Sequence, residues 1–279
     1  MNRGIVVLAQ NSKKINYVLQ ACLLAMSLKV TNPDEKISII TNNRVPKDYK
    51  PLFDKIIRIP WGDAAVKSDW KVENRWKIYH VTPYDETIVL DTDMLVLQNI
   101  ESWWNFLSKY DLYFTSRVET YRGETVVSDY YRKTFTVNKL PNLYSGLYYF
   151  KKCNKSYEFF KWVELVTNNW EMFYGKFTPK NYNNWLSFDI TAAIVTKILN
   201  IENEITNKKA MIPTFTHMKS KVQGWIDPTD RWQDAVGVYF SKDCRLKIGN
   251  HQQSGIFHYT EKDFITDEIL ETYRNYLNV

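Results

Sequence analysis

The stretch Glu86–Trp104, ETIVLDTDMLVLQNIESWW, places two aspartates one residue apart directly behind a run of apolar residues. The segment TIVLDTD within it has the apolar run that is typical of a buried strand. A buried carboxylate is costly unless a cation or hydrogen bonds compensate for the lost hydration. Asp91 and Asp93 therefore mark either a strand that emerges into solvent or a bound metal.

The residues before this stretch alternate between predicted strands and helices. Strands are predicted in GIVVLAQN (4–11), KISIITNN (36–43) and FDKIIRIPW (53–61), and helices in INYVLQACLLAMSLKV (15–30) and over 69–81. This order is typical of an α/β domain with a mostly parallel central sheet and helices on both faces. Ligands of such domains bind outside the carboxyl ends of the strands, so we expect residues 9–12 and 91–93 to face one crevice.

The second half of the chain is predicted to be less regular. Strands are expected in SKYDLYFTSRV (108–118), SGLYYFKK (145–152) and GIFHYT (255–260), and helices in YEFFKWVELVTNNWEMFY (157–174), FDITAAIVTKIL (188–199) and 266–277. A polar, Tyr-rich segment is expected over 119–142, and an irregular, basic segment over 207–254. No repeat or linker divides the sequence, so we predict a single domain over 1–279.

Composition narrows the classes of function. A hydrophobic fraction of 44% in 279 residues excludes disorder and allows a substantial core. The net charge of +6 is spread along the chain, which suits an anionic small ligand better than a nucleic-acid duplex. The three cysteines lack zinc-binding spacing, which indicates a reducing compartment. No apolar run is long enough for a signal peptide or a membrane span, so we expect a cytoplasmic protein without a transmembrane segment.

The Asp91–Asp93 block and its flanks resemble the metal-binding core of the glycogenin-like retaining glycosyltransferases (family 8), which have the GT-A fold. Further matches follow in the family's order from Ile5 to Lys262 and suggest a divergent member. The resemblance implies a nucleotide-binding half over 1–110, and an acceptor-binding half with a C-terminal metal-closing segment over 111–279.

The resemblance also implies roles for individual residues. Tyr17 would stack on the nucleotide base, and Arg75 would serve the donor phosphates, with Lys77 as the competitor for that role. Asp189 would act on the acceptor side, unless it is only a helix N-cap. The implied metal is Mn2+, with Mg2+ possible, held by Asp91, Asp93 and His258. The implied UDP-sugar site comprises Ala9, Gln10, Asn11, Tyr17, Arg75, Asp91, Thr92, Asp93, Ser145, Gly146 and Lys262.

Departures from the family leave the acceptor and the sugar open. Tyr144 replaces the asparagine of the family's Asn-Ser-Gly strand, and Ile190 replaces the glutamine after the acceptor-side aspartate. The donor is expected to be UDP-glucose or UDP-galactose, and the acceptor a saccharide, lipid-linked or protein group. Alternatives are an inverting GT-A transferase, a sugar nucleotidyltransferase and a non-catalytic nucleotide-sugar-binding or carbohydrate-binding module. Nucleic-acid binding through the basic stretch THMKSKVQGW (216–225) is not expected.

Overall fold

The computed structural model describes residues 2–68, 71–126, 131–218 and 231–279. The segment 69–70, at the start of a predicted helix, and most of the basic stretch 216–225 lie outside these ranges. The strands are β1 (Arg3–Leu8), β2 (Ile37–Ile40), β3 (Lys55–Ile57), β4 (Glu86–Leu90), β5 (Met94–Val96), β6 (Leu112–Thr115), β7 (Tyr144–Lys151), β8 (Phe215–His217), β9 (Val238–Phe240), β10 (Leu246–Ile248), β11 (His251–Gln252) and β12 (Ile256–His258).

Helices connect and cover these strands. Two short 3₁₀ helices lie at Lys47–Leu52 and Arg75–Lys77. The α-helices are α1 (Tyr17–Thr31), α2 (Ile78–Val81), α3 (Glu101–Leu107), α4 (Lys133–Val137), α5 (Asn154–Asn168), α6 (Trp170–Phe177), α7 (Phe188–Leu199), α8 (Glu202–Ile205), α9 (Trp232–Ala235) and α10 (Asp267–Leu277). In the described part of the chain, no helix combines the length and apolarity that crossing a bilayer requires.

The central sheet has the strand order β3-β2-β1-β4-β7-β6. The three pairings among β3, β2, β1 and β4 are parallel, whereas β7 is antiparallel to both β4 and β6. The predicted α/β fold with a mostly parallel sheet is therefore confirmed. Strands β1 and β4 are parallel neighbours, so their carboxyl ends lie at the same edge of the sheet. The segments that follow them therefore lie side by side, as predicted.

Both faces of this sheet are buried, because successive side chains of a strand point to opposite faces. Ile5 and Val7 of β1 pack in one apolar core with α1 and α10. Val6, between them, packs in a second core that includes α5 and α7. Burial on both sides explains why these strands are continuous apolar runs in the sequence.

A second sheet carries the chain away from the end of β4. It has the order β5-β12-β8, with β12 antiparallel to β5 and parallel to β8. The aspartate pair occupies the connection between β4 in the first sheet and β5 in the second. A third small sheet, of order β11-β10-β9, lies within the segment predicted to be irregular.

Several predicted elements need correction. The helix predicted over 69–81 is helical only from Arg75, because the described residues before it form turns. The single helix predicted over 157–174 is two helices, α5 and α6, separated at Asn169. The prediction that 207–254 is irregular is wrong for its described part, since strands of two or three residues are too short to give a periodic pattern. By contrast, α7 matches its predicted bounds, and Thr266 caps α10 by accepting a hydrogen bond from the Ile269 amide.

Candidate metal centre

The aspartate pair is held at the end of β4 by backbone contacts with β7. The Asp91 amide donates a hydrogen bond to the Gly146 carbonyl oxygen at 3.0 Å. Gly146 leaves little room for a side chain, because an added Cβ would lie 2.7 Å from Met94 Cε and 3.3 Å from Asp91 Oδ2, and both side chains would have to shift. Glycine therefore allows β7 to approach the first carboxylate without displacing the Met94 and Asp91 side chains.

His258 reaches the same place from the C-terminal part of the chain. It ends β12, where its backbone pairs with Met94 on β5. Its Nε2 lies 3.1 Å from Asp93 Oδ1, and the Tyr259 amide donates to the Asp93 carbonyl oxygen at 3.2 Å. One ligand atom from each of Asp91, Asp93 and His258 lies within 4.8 Å of the other two. The structure thus brings together the three predicted metal ligands.

Each carboxylate also contacts a cationic side chain. Arg75 Nη2 donates to Asp91 Oδ1, and Arg75 Nη1 lies 3.4 Å from the Ser145 carbonyl oxygen. Lys262 Nζ donates to Asp93 Oδ2 and lies 5.6 Å from the centre of the Tyr17 ring. Two carboxylates, one imidazole, two cations and one aromatic ring therefore converge on one region.

These contacts keep the second carboxylate ionised. Burial alone would raise the pKa of Asp93, whose residue is 6% exposed. The charges of His258 and Lys262, with the hydrogen bonds both donate, outweigh that penalty and hold the pKa of Asp93 well below its usual range. Asp93 is therefore a carboxylate at neutral pH, which is the form that binds a metal.

The donor set fits a hard divalent cation. Carboxylate oxygens suit Mg2+ and Mn2+, and an added imidazole nitrogen favours Mn2+. The Nε2 atom of His258 lies 3.1 Å from Asp93 Oδ1, so it is the ring nitrogen that would bind such a cation. Bound there, such a cation would act as a Lewis acid toward an anionic ligand.

The two candidate basic residues of the 3₁₀ helix have different partners. Lys77 is 4% exposed, and its Nζ donates to the Gly62 carbonyl oxygen at 2.6 Å. Burial lowers the pKa of Lys77, against the smaller opposing effect of Asp63. Of these two residues, Arg75 is the one that contacts the aspartate pair, through Asp91.

The predicted residues after β1 form a polar network beside the site. Gln10 Nε2 donates to Asp63 Oδ2 at 2.8 Å, and Asn74 donates to Gln10 Oε1 at 2.9 Å and to Asp63 Oδ1 at 2.7 Å. The Asn11 amide donates to Asn43 Oδ1 at 2.8 Å. Two further residues of the predicted UDP-sugar site, Ala9 and Thr92, also make hydrogen bonds. The Ala9 amide donates to the Ile40 carbonyl oxygen, and the Thr92 hydroxyl donates to Gln20 Oε1.

Asp189 lies in the first turn of α7 and not at its N-cap, which is Ser187. Its Oδ1 accepts hydrogen bonds from the amide, at 2.8 Å, and the hydroxyl of Ser145. Its Oδ2 accepts a hydrogen bond from Arg132 Nη2 at 2.7 Å, and the Arg132 side chain is 4% exposed. The carboxylate is thus fixed against β7, beside the residues that were predicted to contact the donor sugar.

Sequence reasoning missed several residues of this region. Arg132 lies in the polar, Tyr-rich segment 119–142, and nothing in the spacing points to its partner, Asp189. His217 ends β8, and its ring centre lies 4.7 Å from that of His258. Only the parallel pairing of β8 with β12 brings these histidines together. Asp63 and Asn74 likewise belong to a network that local sequence does not reveal.

Comparisons with known proteins give structural similarity alone. No protein-family model and no curated protein matches the chain. Similar solved structures include the apo form of glycosyltransferase GlyE of Streptococcus pneumoniae TIGR4, at 12% identity and a TM-score of 0.43 over 75% of this chain and 45% of that one. The chain therefore spans less than half of the GlyE structure.

Two other similar structures are matched over most of their length. Apo mouse xyloside xylosyltransferase 1 has 11% identity and a TM-score of 0.47 over 76% of this chain and 86% of that one. Galactosyltransferase LgtC in complex with donor and acceptor sugar analogues has 12% identity and a TM-score of 0.48 over 98% and 95%. Membership of family 8 stays a prediction, because no family model matches.

Proposed function

We propose that the chain is a metal-dependent glycosyltransferase of the GT-A class that transfers a hexose from a UDP-sugar. The observation that carries the proposal is the convergence of Asp91, Asp93 and His258 within 4.8 Å at the carboxyl edge of the central sheet. Arg75 and Lys262 lie against the carboxylates. The carboxylates and the histidine suit a divalent cation, and the two basic side chains suit a diphosphate, so the site suits the two ligands bound together.

The chemistry of sugar transfer explains why these groups belong together. A nucleotide-sugar donor breaks at its anomeric carbon, and negative charge develops on the leaving diphosphate. A cation held by the aspartates and the histidine would neutralise that charge, and Arg75 and Lys262 would add stabilisation that grows as the charge develops. Tyr17, half-buried and next to Lys262, is suited to stack on the base.

The remaining donor contacts are proposed along the same edge. Ala9, Gln10 and Asn11 follow β1, and Thr92 follows β4, the two strands that flank the crevice. Ser145 and Gly146 lie on β7 beside Asp91 and would border the donor sugar. We assign residues 1–110 to nucleotide binding and 111–279 to acceptor binding and metal closure within one domain. The acceptor is a saccharide, a lipid-linked group or a protein.

We infer that transfer proceeds with retention, and that Asp189 positions the acceptor. An inverting enzyme needs a general base that is available to the acceptor hydroxyl. Three hydrogen bonds, from the amide and hydroxyl of Ser145 and from Arg132 Nη2, already occupy most of the roughly four acceptor positions of the Asp189 carboxylate and fix its orientation. A carboxylate engaged in this way is suited to holding a neighbouring group in place, and this observation supports the positioning role.

The test is release of UDP from UDP-glucose and UDP-galactose by the full chain, with Mn2+ and with EDTA. We expect release with Mn2+ from one of the two donors and none with EDTA. Asp93→Ala should abolish it, while Asp34→Ala, which removes an exposed carboxylate away from the site, should leave it unchanged. A chain that neither releases UDP nor binds it in a metal-dependent way would contradict the proposal.

Product stereochemistry tests the retention part separately. Proton NMR of the early product distinguishes the two anomers by their coupling constants. We expect an α-linked product from the α-linked donor. A β-linked product would overturn retention and would make Asp189 the candidate base.

A further inference from the structure

Both carboxylates of the candidate metal centre are already neutralised by cations of the protein itself. Arg75 contacts Asp91 and Lys262 contacts Asp93. The second pair lies on an aspartate whose side chain is only 9% exposed, so its charge interaction is weakly screened by solvent. A divalent cation that binds Asp93 must therefore compete with the ammonium group of Lys262.

We propose that Lys262 suppresses metal binding at Asp93 until a nucleotide diphosphate is present, and that it then moves from the carboxylate to the diphosphate. The lysine would make the metal and the nucleotide bind together and would disfavour the metal alone. That the lysine moves to a nucleotide diphosphate rests on the proposed function. The competition between Lys262 and a metal ion for Asp93 does not.

Lys262 is better suited to this exchange than Arg75. Arg75 has further contacts that fix its plane: the Ser145 carbonyl oxygen, at 3.4 Å, and the Phe188 ring, at 5.4 Å. Lys262 carries a compact ammonium group on a flexible four-carbon stem, and its side chain is 28% exposed. Its reorientation breaks the ion pair with Asp93, whereas that of Arg75 would also break the Ser145 and Phe188 contacts.

The backbone around Lys262 stays anchored while its side chain moves. The Tyr259 amide donates to the Asp93 carbonyl oxygen, and the Phe264 amide donates to the Glu261 carbonyl oxygen at 3.2 Å. The Tyr17 ring, 5.6 Å from the lysine nitrogen, lies where a base would stack. An ammonium group displaced from Asp93 thus remains close to the place proposed for the nucleotide.

Electrostatics gives the direction of the effect. A metal bound without an anion would face the nearby ammonium group as a like charge and would deprive it of its carboxylate. A diphosphate removes both penalties, because it offers oxygens to the metal and to the lysine. The coupling is reciprocal, so the nucleotide should raise the affinity for the metal by the same factor as the metal raises the affinity for the nucleotide.

The experiment is calorimetric titration of the full chain with Mn2+ alone, repeated in the presence of saturating UDP. Lys262→Met keeps most of the apolar stem and removes the charge. We expect it to bind Mn2+ alone about tenfold more tightly than wild type, the factor that corresponds to one charge-assisted hydrogen bond. UDP should then enhance the Mn2+ affinity of Lys262→Met less than that of wild type.

Two further variants control this comparison. Lys242→Met removes an exposed lysine elsewhere and should bind Mn2+ like wild type, which excludes an effect of net charge. Lys262→Arg keeps a cation at Asp93 and should not reproduce the tenfold gain. Circular dichroism shows whether each variant is folded.

The outcomes separate the inference from the proposed function. Equal or weaker binding of Mn2+ alone by folded Lys262→Met, or a gain shared by Lys262→Arg or Lys242→Met, would overturn the competition. If Lys262→Met gains affinity for Mn2+ but UDP changes no affinity in either protein, the transfer to a diphosphate and the proposed donor fail, and the competition for Asp93 stands.

Discussion

At the scale of single residues, Gly146 controls the distance between β7 and the first carboxylate. A methyl group there would press on Met94 and on Asp91 Oδ2. We expect Gly146→Ala to lower the free energy of unfolding by about 1–3 kcal/mol, as overpacking of a core does. It should also weaken Mn2+ binding, because the side chain of Asp91 must move. Chemical denaturation and Mn2+ titration measure the two effects.

Gly175 supplies the matched control for this substitution. It lies in α6, and an added Cβ would meet nothing within 4 Å. Gly175→Ala should raise the free energy of unfolding by about 0.5–1 kcal/mol, because alanine loses less backbone freedom than glycine on folding. Unchanged Mn2+ affinity in Gly146→Ala would mean that the position of Asp91 does not depend on this close approach.

At the scale of elements, the network of Gln10, Asp63 and Asn74 ties the segment after β3 to the end of β1. Asn74 immediately precedes the 3₁₀ helix that carries Arg75, so the network also fixes where that helix begins. Partial burial opposes ionisation of Asp63, but hydrogen bonds from Gln10, Ala65 and Asn74 outweigh it and lower the pKa of Asp63.

This lowered pKa gives a pH-dependent prediction. Asp63→Asn replaces one carboxylate oxygen, which accepts hydrogen bonds, by an amide nitrogen, which cannot accept them. We expect this change to lower the free energy of unfolding by about 1–2 kcal/mol at pH 7. The advantage of the wild type is fully present above the unfolded pKa, about 3.9, and disappears as the pH falls through the lower folded value. Urea denaturation from pH 7 to pH 3 measures this convergence.

Asp34→Asn is the control for that series. Asp34 is exposed and outside the network, so its replacement should change the unfolding free energy little at any pH. A difference between wild type and Asp63→Asn that stays constant down to pH 3 would show that the ionised carboxylate is not what stabilises this segment.

At the scale of the whole molecule, the candidate site joins the N-terminal sheet to the C-terminal strand β12. Ligands that bind only the folded chain stabilise all of it, by about 2.7 kcal/mol at a concentration of 100 Kd. We expect UDP and Mn2+ together to raise Tm by several degrees and Mn2+ alone to raise it less. Differential scanning fluorimetry measures the shifts.

The variant that tests this linkage is His258→Ala. Two carboxylates and the diphosphate would still hold the metal, so the joint shift in Tm should shrink without disappearing. A joint shift as large as that of wild type would show that His258 does not bind the metal and only packs in β12.

The sequence by itself determined the α/β fold and named the candidate ligands Asp91 and Asp93. Strands buried on both faces must be continuous apolar runs, so GIVVLAQN and TIVLDTD predict the sheet from local pattern alone. The pair Asp91 and Asp93 behind such a strand indicates either a strand end that reaches solvent or a bound cation, because a buried carboxylate needs a cation or hydrogen bonds to compensate for lost hydration. Helix α7 was predicted with its bounds because apolar residues with helical spacing mark it clearly in the sequence.

Only the tertiary structure decided which side chains meet. His258 approaches Asp93 because β12 pairs with β5, and His217 approaches His258 because β8 pairs with β12. Strands of three residues leave no periodic signal, and pairing between distant segments depends on the packing of the whole chain. For the same reason the contact of Arg75, and not Lys77, with Asp91, and the ion pair of Arg132 with Asp189, follow from the folded geometry and not from spacing in the sequence.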